Sequence, residues 1–595
     1  MALALGKLLS CAGSGYSVLH RILSPEPPKE VVLMTGSPGG RKCEVALHPD
    51  WKTGMKIIRS IGCIVLLTCV FILPNQLLDS TAHAMPLIPQ PMKMKFSEGT
   101  FALSSTTVVI VNQGASDSGK YLVDLLSPIS GFELKTRRIS GQEAEANCIA
   151  LLLTPDRGNL GQEGYALSVM KDRVIIYAPT TAGIFYGIQT LRQLLPAELE
   201  RQNVVQEKAA WQIPCVEIED KPRFQWRGLM LDCSRTFWSK TFIKRKIRLM
   251  SLYKLNRLHL HLTDDQGWRL QIKKHPKLTE IGSKFAEKYQ EPPERQGYYT
   301  QEDIREIIAY GARHNVTIVP EIEMPGHSTA ALTAYPDLSC TGGPFEIYPF
   351  FRGPGITKDI FCPGNEETFH FLEEVLSEVV ELFPSEFIHV GGDEAPKDRW
   401  SQCPKCQARI KQEGLKDEQE LQSYFIKRIE KFLNGKGKRL IGWGEILEGG
   451  LAPRATVMSW RKSESGIAAA KAGQDVVMSL TSHCYFNYPY KRISTMKVYD
   501  YNPIPAELTE EQAKHILGIQ ANFWSTIDRE EVGVDKQVFP RLLAIAEVAW
   551  SPKDQRDEGR FRDRVKIDSG RLKKLGVRYF PDPTIWLPAP EMRSN

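Results

Sequence analysis

Residues 387–394, Phe-Ile-His-Val-Gly-Gly-Asp-Glu, combine a short apolar run with two glycines and two adjacent carboxylates. An apolar run of this length is typical of a buried strand in a parallel sheet, and polar residues commonly follow where such a strand ends. The preceding stretch, Glu366–Leu382, has apolar residues at three- and four-residue spacing, which predicts a helix. The segment therefore predicts one strand of a sheet in which strands and helices alternate.

The same pattern, an apolar run that ends in polar residues or glycine and then a helix-like stretch, occurs eight times from Phe224 onward. Amphipathic helices such as Thr300–His314 are expected between the runs. Eight such units in roughly 330 residues predict an α/β fold, a (β/α)8 TIM barrel with insertions. A doubly wound open sheet is the alternative, but it normally has fewer units. The eight runs are Gly228–Leu231, Arg257–Leu262, Thr317–Pro320, Phe387–Val390, Arg439–Ile441, Thr456–Met458, Asp475–Ser479 and Leu517–Ile519.

A smaller domain is expected before the barrel. The strand-like residues 107–111 and the helical spacing of Thr181–Leu195 predict a small α+β domain at residues 85–221. We place the barrel at residues 222–555 and a C-terminal tail at residues 556–595.

Residues 1–84 differ from the rest of the chain. Ile61–Leu73 is the one long apolar run, and its 13 residues fall short of the number, about 20, that usually spans a bilayer. Lys56 and Arg59 precede the run, and small residues follow it at 81–84. This order of basic, apolar and small-residue regions is typical of a secretory signal peptide.

We therefore predict a signal peptide at residues 55–84 that exports the chain to the periplasm, the cell exterior or the membrane surface. The alternative is a membrane anchor, with membrane contact expected only if the segment 61–73 is not cleaved. Residues 1–54 are interpreted as an artefact of an upstream start or a disordered extension.

The composition excludes several classes of protein. Among 595 residues, 42% are hydrophobic and 25% are charged, which is ordinary for a globular chain and excludes disordered, collagen-like and coiled-coil proteins. With 76 basic and 70 acidic residues, the net charge of +6 gives no indication of a nucleic-acid partner. Twelve cysteines are too few for a disulfide scaffold at this length.

Cys403-Pro404-Lys405-Cys406 has the spacing of a zinc-ligand pair, but no second Cys/His pair is evident nearby in the sequence. In an exported protein, a local disulfide or two free thiols is the expected state. The sequence predicts no metal and no cofactor.

The residues that follow the eight predicted strands form one ring, because a TIM barrel carries its chemistry at the carboxyl ends of its strands. This ring is polar, acidic and aromatic. Aromatic walls above carboxylates suit a sugar, whose C–H faces stack on rings and whose hydroxyls bind charged groups. The ring contains Asp232–Arg235, His259, His261, Asp264–Arg269, Glu321, Glu323, His327, Asp393, Glu394, Trp443, Glu445, Trp460, His483, Tyr485, Asn487, Gln520, Asn522 and Trp524.

Residues 389–394 resemble the catalytic strand end of family 20 glycoside hydrolases, the β-N-acetylhexosaminidases. Four further stretches resemble that family in the same order: 231–235, 259–269, 320–327 and 481–485. The resemblance covers roughly residues 85–555, including the smaller domain. It implies an exo-acting hydrolase that releases terminal N-acetyl-β-D-hexosamine from a glycan partner.

The resemblance also implies a retaining mechanism assisted by the substrate, in which the sugar's 2-acetamido oxygen attacks C1 to form an oxazolinium ion. Glu394 is then the general acid and base, with a pKa raised toward the working pH. Asp393 accepts the acetamido N–H, and Tyr485 donates to the acetamido oxygen.

Other site residues are also carried over from the family. Arg235 is implied to hold ring hydroxyls, and His327 and Asp264 to form a polar relay behind the acid. The aromatic residues implied to enclose the N-acetyl methyl group are Trp443, Trp460 and Trp524.

Three positions depart from the family pattern. Asn487 and Thr526 stand where carboxylates are common, and Gly444 replaces an aspartate between Trp443 and Glu445. The first two changes remove carboxylates expected near the 4- and 6-hydroxyls. They indicate either a pocket adapted to an anionic 6-substituent, such as 6-sulfated N-acetylglucosamine, or low activity.

Other readings stay open at this point. A disaccharide-releasing relative would share the catalytic residues, and the insertion Cys340–Cys362 could shape its rim or serve only as lid packing. A non-catalytic glycan-binding protein would keep the aromatic walls. A conventional double-displacement glycosidase would use Glu321, Glu323 or Glu445 as its nucleophile.

Overall fold

The computed structural model describes residues 86–140, 145–201 and 211–587. The predicted signal segment 55–84 and its apolar run 61–73 lie outside these residues. Across the described ranges, no helix is both long and apolar enough to cross a bilayer.

The first part of the chain forms a seven-stranded mixed sheet with two helices packed against it and against each other. The strand order is β1-β7-β5-β6-β4-β2-β3, in which β3, β2, β4 and β6 pair in parallel and the remaining pairs are antiparallel. The elements are β1 (Lys93–Ala102), β2 (Val108–Val111), α1 (Ser116–Ser130), β3 (Lys135–Arg138), β4 (Cys148–Leu153), β5 (Tyr165–Val169), β6 (Arg173–Ala178), α2 (Thr181–Leu194) and β7 (Gln212–Asp220).

Helix α2 begins where Thr180 caps it, its hydroxyl accepting a hydrogen bond from the N–H of Gly183 at 3.2 Å. Every residue from Gly183 to Leu194 is buried, whereas an amphipathic helix on a surface buries only one of its faces. The amide of Gln193 donates to the carbonyl of Leu252 in the barrel at 2.9 Å, so the helix is covered by the sheet on one side and by the barrel on the other.

The second part of the chain is a closed barrel of eight parallel strands, which confirms the (β/α)8 TIM barrel and the smaller domain before it. Each of the eight predicted apolar runs falls on a barrel strand. Strand pairing around the barrel follows the chain order, and the last strand pairs with the first. The barrel strands are β8 (Trp226–Asp232), β9 (Arg257–His261), β12 (Thr317–Glu321), β13 (Phe387–His389), β14 (Arg439–Trp443), β15 (Thr456–Ser459), β16 (Val476–Met478) and β17 (Ile516–Phe523).

Helices follow every barrel strand except the fifth, and a short hairpin, β10 (Thr263–Asp264) and β11 (Gly267–Trp268), follows β9. The helices are α3 (Lys240–Leu252), α4 (Lys277–Glu280), α5 (Gln301–Arg313), α6 (Thr329–Ala334), α7 (Glu366–Leu382), α8 (Asp398–Gln402), α9 (Pro404–Glu413), α10 (Glu418–Gly435), α11 (Ser463–Lys471), α12 (Thr495–Asp500), α13 (Glu510–Ala513), α14 (Glu531–Val538), α15 (Arg541–Trp550), α16 (Glu558–Lys574) and α17 (Pro583–Trp586).

The fifth unit departs from the predicted pattern. Residues 444–455, all of them described, contain a 3₁₀ turn at Gly444–Leu447 and no α-helix. Gly449 and Gly450 adopt φ of 71° and 122°, and Pro453 follows, so this connection cannot hold a regular helix.

Buried ion pairs fix the smaller domain to the barrel. The ammonium of Lys254 lies 2.9 Å from Asp220, to which the indole of Trp550 also donates at 2.9 Å. Helix α16 adds Arg571, 3.0 Å from the buried Glu200 of the smaller domain. Because a buried charge without a partner costs several kcal/mol, these pairs couple the two domains.

Candidate active site

The two adjacent acids lie just beyond the carboxyl end of β13, on a backbone that requires glycine. Gly391 and Gly392 have φ of 68° and 93°, and Glu394 itself has φ of 46°. A Cβ atom on Gly391 would overlap the carboxylate of Glu323. The two glycines therefore turn the chain so that both acids face the barrel mouth.

His327 connects these acids to the end of the second barrel strand. Its Nδ1 atom lies 3.3 Å from an oxygen of Asp264 and 3.3 Å from one of Asp265. Its Nε2 atom lies 3.7 Å from Asp393 Oδ2 and 3.6 Å from Glu394 Oε2. Burial disfavours the charged ring, but Asp264, Asp265 and Glu394 outweigh burial and raise the pKa of His327 well above its usual value.

The two acids have opposite pKa shifts. Burial, followed by the charges of Glu445, Glu321 and Glu394, raises the pKa of Asp393 to about 7 against the lowering effect of His327. The close approach of His327 comes first in lowering the pKa of Glu394, and the charge of Arg461 adds to it.

The expectation of a raised pKa for Glu394 is therefore wrong for the site without substrate. The cations around this half-buried carboxyl outweigh its desolvation, so of the two acids Asp393 keeps its proton to the higher pH.

Arg235 is fixed deep in the pocket. Its Nη2 lies 2.7 Å from Asp264, and its Nε donates to the side-chain oxygen of Gln266 at 2.7 Å. The guanidinium stacks 5.0 Å from the ring centre of Trp524. Burial tends to raise the pKa of Asp264, but Arg235, His327 and His261 lower it far below its usual value, so this carboxylate stays ionised.

Four aromatic side chains form a continuous wall beside the acids. Trp443 lies 6.4 Å from Trp460 and 6.0 Å from Trp524, centre to centre. Tyr485 stacks 5.9 Å from Trp460 and lies 6.2 Å from Trp524. Burial and then the charge of Asp393 raise the pKa of Tyr485 well above its usual value, so its hydroxyl remains a donor.

The acids that could serve as an alternative nucleophile are held below or beside the pocket. Glu321 accepts from the indole of Trp443 at 2.8 Å and pairs with His389 at 2.7 Å. Burial opposes ionisation of Glu321, but His389, His261 and His259 outweigh it and keep the pKa low. Glu445 accepts from the indole of Trp460 at 2.8 Å.

Glu323 lies behind Gly391, and among the described residues neither of its oxygens has a hydrogen-bond partner. Burial, then Asp393 and Glu321, raise its pKa well above the usual value. His259, which the sequence places in the ring, is fully buried below it, lies 3.1 Å from Glu321, and has a pKa lowered by burial to about 4.

The structure thus brings together Glu394, Asp393, His327, Asp264 and Arg235 on one side and the four aromatic residues on the other. Asn487 is half-buried, and its side-chain oxygen has no partner among the described residues. Thr526 is buried next to Ser525, whose N–H donates to Asp232 at 3.1 Å.

Arg461 is a site residue that the sequence analysis missed. Its Nη2 lies 3.0 Å from Glu394 Oε1, its Nε lies 2.8 Å from Glu445, and its guanidinium stacks 4.4 Å from the ring centre of Trp460. The available signal was its position directly after Trp460, where the sixth barrel strand ends.

Five groups in the described part of the chain bring metal-ligating atoms close together. Four of them belong to the pocket and its floor, where Glu321 and His327 already have ion-pair partners. The fifth lies apart and consists of four cysteines, Cys340, Cys362, Cys403 and Cys406. No second pair lies near Cys403 and Cys406 in the sequence, but the structure brings one to them. Cys362 and Cys340 are 44 and 66 residues from Cys406 in sequence and adjacent to it in space.

The chain matches two protein-family models. Residues 224–553 match "Glycosyl hydrolase family 20, catalytic domain", and residues 84–221 match "Glycosyl hydrolase family 20, domain 2". A beta-hexosaminidase of Porphyromonas gingivalis is 43% identical over 506 residues, which make up 83% of this chain. The chain spans 64% of that relative's length.

Two solved structures have the same fold. The β-N-acetylhexosaminidase of Streptomyces coelicolor A3(2) superposes with a TM-score of 0.73 at 31% identity, over 84% of this chain and 98% of that one. An exo-β-N-acetylglucosaminidase of Vibrio harveyi, solved in complex with N-acetylglucosamine, superposes with a TM-score of 0.73 at 32% identity, over 84% of this chain and 78% of that one.

Proposed function

Because the chain belongs to glycoside hydrolase family 20, we propose that it is an exo-acting enzyme that removes terminal N-acetyl-β-D-hexosamine from glycans by a retaining, substrate-assisted mechanism. The main structural observation behind this proposal is that Asp393 and Glu394 both lie within 3.7 Å of one nitrogen of His327. The Vibrio harveyi structure, described as an exo-acting N-acetylglucosaminidase, supports exo action.

The first chemical step needs Asp393 ionised and Glu394 protonated. Asp393 Oδ1 is buried and has no partner among the described residues, so it is available to accept the acetamido N–H of the substrate. A new donor favours the ionised carboxylate. Binding of an N-acetylated sugar would therefore drive the proton off Asp393.

His327 offers that proton a route to Glu394. The charged imidazole gives its Nε2 proton to Glu394 and takes the proton of Asp393 at the same nitrogen. The ring keeps its charge because Asp264 and Asp265 hold its other nitrogen. Substrate binding thus converts the resting pair into the reactive pair without a net change in protonation.

Bond changes then follow in two steps. The acetamido oxygen attacks C1 while the glycosidic C1–O bond breaks, and Glu394 protonates the departing oxygen. The resulting oxazolinium carries a positive charge that the carboxylate of Asp393 offsets. Water then attacks C1, Glu394 takes its proton, and the bond from C1 to the acetamido oxygen breaks, so the configuration at C1 is retained.

The aromatic wall accounts for selection of an N-acetylated sugar. Trp443, Trp460 and Trp524 present apolar faces to the acetamido methyl group, and Tyr485 donates its hydroxyl to the acetamido oxygen. Arg235 binds ring hydroxyls at the closed end of the pocket. A sugar without the acetamido group leaves the wall unfilled and supplies no nucleophile.

A conventional double displacement fits the site less well. Glu321 and Glu445 are already hydrogen-bonded to tryptophan indoles, and Glu323 lies behind the glycine turn.

The neutral side chains of Asn487 and Thr526 favour tolerance of an anionic 6-substituent, so we propose 6-sulfated N-acetylglucosamine as a second substrate to test.

Two experiments test the mechanism. The ¹H NMR spectrum of the first product formed from a 4-nitrophenyl N-acetyl-β-glucosaminide is expected to show the β-anomer before mutarotation. A thiazoline mimic of the oxazolinium is expected to inhibit competitively. Release of the α-anomer, or insensitivity to the thiazoline, would refute substrate assistance. Release of disaccharides from a longer glycan would contradict exo action and favour a disaccharide-releasing enzyme.

We also propose export through segment 55–84. Amino-terminal sequencing of the protein recovered from the cell envelope and medium tests this. A mature terminus close to residue 85 is expected, and a full-length cytosolic product would overturn it.

A further inference from the structure

Four cysteines from two distant segments meet beside the barrel mouth. The Sγ atom of Cys362 lies 3.5 Å from that of Cys406 and 3.8 Å from that of Cys403, and the Sγ atoms of Cys340 and Cys406 are 3.7 Å apart. All four sulfurs lie within 4.8 Å of one another. None of the four takes part in a disulfide.

These distances match the edges of a thiolate tetrahedron around a metal. Zinc–sulfur bonds of about 2.3 Å place the four sulfurs about 3.8 Å apart. A disulfide would require two sulfurs about 2.05 Å apart. We propose that Cys340, Cys362, Cys403 and Cys406 bind one structural zinc ion, independently of the proposed hydrolase activity.

The surroundings fit a closed structural site. Cys362 and Cys406 are fully buried, and Cys403 is nearly so, with the apolar side chains of Ile360, Trp400 and Leu421 packed around them. An apolar shell keeps water and competing ligands away from the metal. Four protein ligands leave no open position, as in structural rather than catalytic zinc sites.

The backbone of both segments allows the four cysteines to come close together. Cys403 and Cys406 flank the start of α9, whose N-terminal dipole favours thiolate anions, and Pro404 occupies its first position without losing a donor. A Cβ atom on Gly364 would overlap the backbone of Lys405 and Cys406, so only glycine allows the two segments to pack this closely.

The site has a structural consequence for the active centre. It would tie the insertion 340–362 to the segment that follows Glu394. Within that insertion, the Thr357 hydroxyl lies 3.1 Å from that of Thr329 and 3.5 Å from Asp265, which holds His327. The zinc ion would therefore fix the rim that abuts the histidine relay.

The test is the metal content of the full-length protein, purified with a thiol reductant from zinc-supplemented cells. Elemental analysis is expected to find about one zinc per chain in the wild type. We expect loss of most of this zinc in Cys406→Ser and in Cys340→Ser, the latter replacing the least buried ligand. Cys215→Ser, at a buried cysteine in β7, is the matched control and should keep the wild-type content.

A second measurement uses the wild-type chain, so its result does not depend on whether the variants fold. Titration with a mercurial should release the zinc, detected by a metallochromic dye, as the four thiols react. A wild-type protein without stoichiometric zinc, or with stoichiometric iron in its place, would overturn the proposal. Two disulfides among these four cysteines in non-reducing peptide mass spectra would also overturn it.

Discussion

The Nη2 atom of Arg461 lies 3.0 Å from Oε1 of Glu394. Glu394 is the proposed general acid, and a cation at this distance favours its ionised form. The Arg461 side chain is 58% exposed, and a sugar that displaces it from Glu394 would have to replace its contact with Trp460. Its departure would raise the pKa of Glu394 at the moment when a proton is needed.

The Arg461→Ala variant tests this relationship. Without the cation, the carboxyl pair of Asp393 and Glu394 keeps its one proton to higher pH, so we expect the alkaline limb of kcat/KM to move upward. The shift should be a few tenths of a pH unit, because an exposed charge is screened by water. Steady-state rates across the neutral range measure it. Lys462→Ala is the control, and a downward shift, or equal shifts in both variants, would contradict the account.

The pH dependence of the wild type follows from the pKa of about 7 for Asp393. In the proposed scheme the acid pair must hold one proton, which rests on Asp393 and moves to Glu394 when substrate binds. Loss of that proton ends activity, so kcat/KM should fall as the pH rises through about 7. The value of kcat/KM reports the free enzyme, in which this pKa applies.

Asp393→Asn removes the higher-pKa member of the pair. The remaining carboxyl, Glu394, has its pKa lowered by His327 and Arg461. Residual activity should therefore fall at lower pH than in the wild type, with kcat reduced roughly 100-fold or more. An unchanged alkaline limb would show that Asp393 does not hold the proton.

Tyr485→Phe deletes the hydroxyl that we assign to the acetamido oxygen and keeps the ring that stacks on Trp460. We expect kcat to fall roughly 100-fold, as when a donor to developing charge is removed, with a much smaller change in KM. Tyr490→Phe is the control, since that hydroxyl donates to the carbonyl of Phe539 at 2.7 Å away from the aromatic wall. Equal losses in both variants would argue for a structural effect.

The neutral residues Asn487 and Thr526 predict tolerance of a 6-sulfate. Thr526→Glu is expected to lower the ratio of kcat/KM for 6-sulfated over unsulfated 4-nitrophenyl N-acetyl-β-glucosaminide by about tenfold, through charge repulsion. Thr526→Gln has the same size without the charge and should keep the ratio. If the wild type prefers the unsulfated sugar and the ratio does not change in Thr526→Glu, the sulfate hypothesis is refuted.

Much of the fold could be predicted because barrel strands are local apolar runs. The run at 387–390 and its seven counterparts all lie on barrel strands, and the ring of residues at their ends contains the acids, the histidine and the aromatic wall. The prediction of a helix after the fifth barrel strand is wrong, because Gly449, Gly450 and Pro453 interrupt that connection. These residues were a local signal that the eightfold repeat pattern outweighed.

The remaining errors concern tertiary contacts. The pairing of Cys340 and Cys362 with the Cys-x-x-Cys segment depends on how two insertions fold back, which spacing along the chain does not reveal. The lowered pKa of Glu394 depends on Arg461 and His327, which approach it from different strands. Desolvation could be anticipated for an acid at a barrel mouth, but the positions of these cations could not.

Hexosaminidase activity assisted by the acetamido group is tested most directly by release of 4-nitrophenol from 4-nitrophenyl N-acetyl-β-glucosaminide. The wild type, Glu394→Gln and Asp393→Asn are compared, with the β-glucoside as a matched substrate that lacks the acetamido group. We expect the wild type to be active on the N-acetylated substrate alone, with large losses in both variants. Cleavage of the two substrates at similar rates, or wild-type activity in either variant, would contradict this expectation.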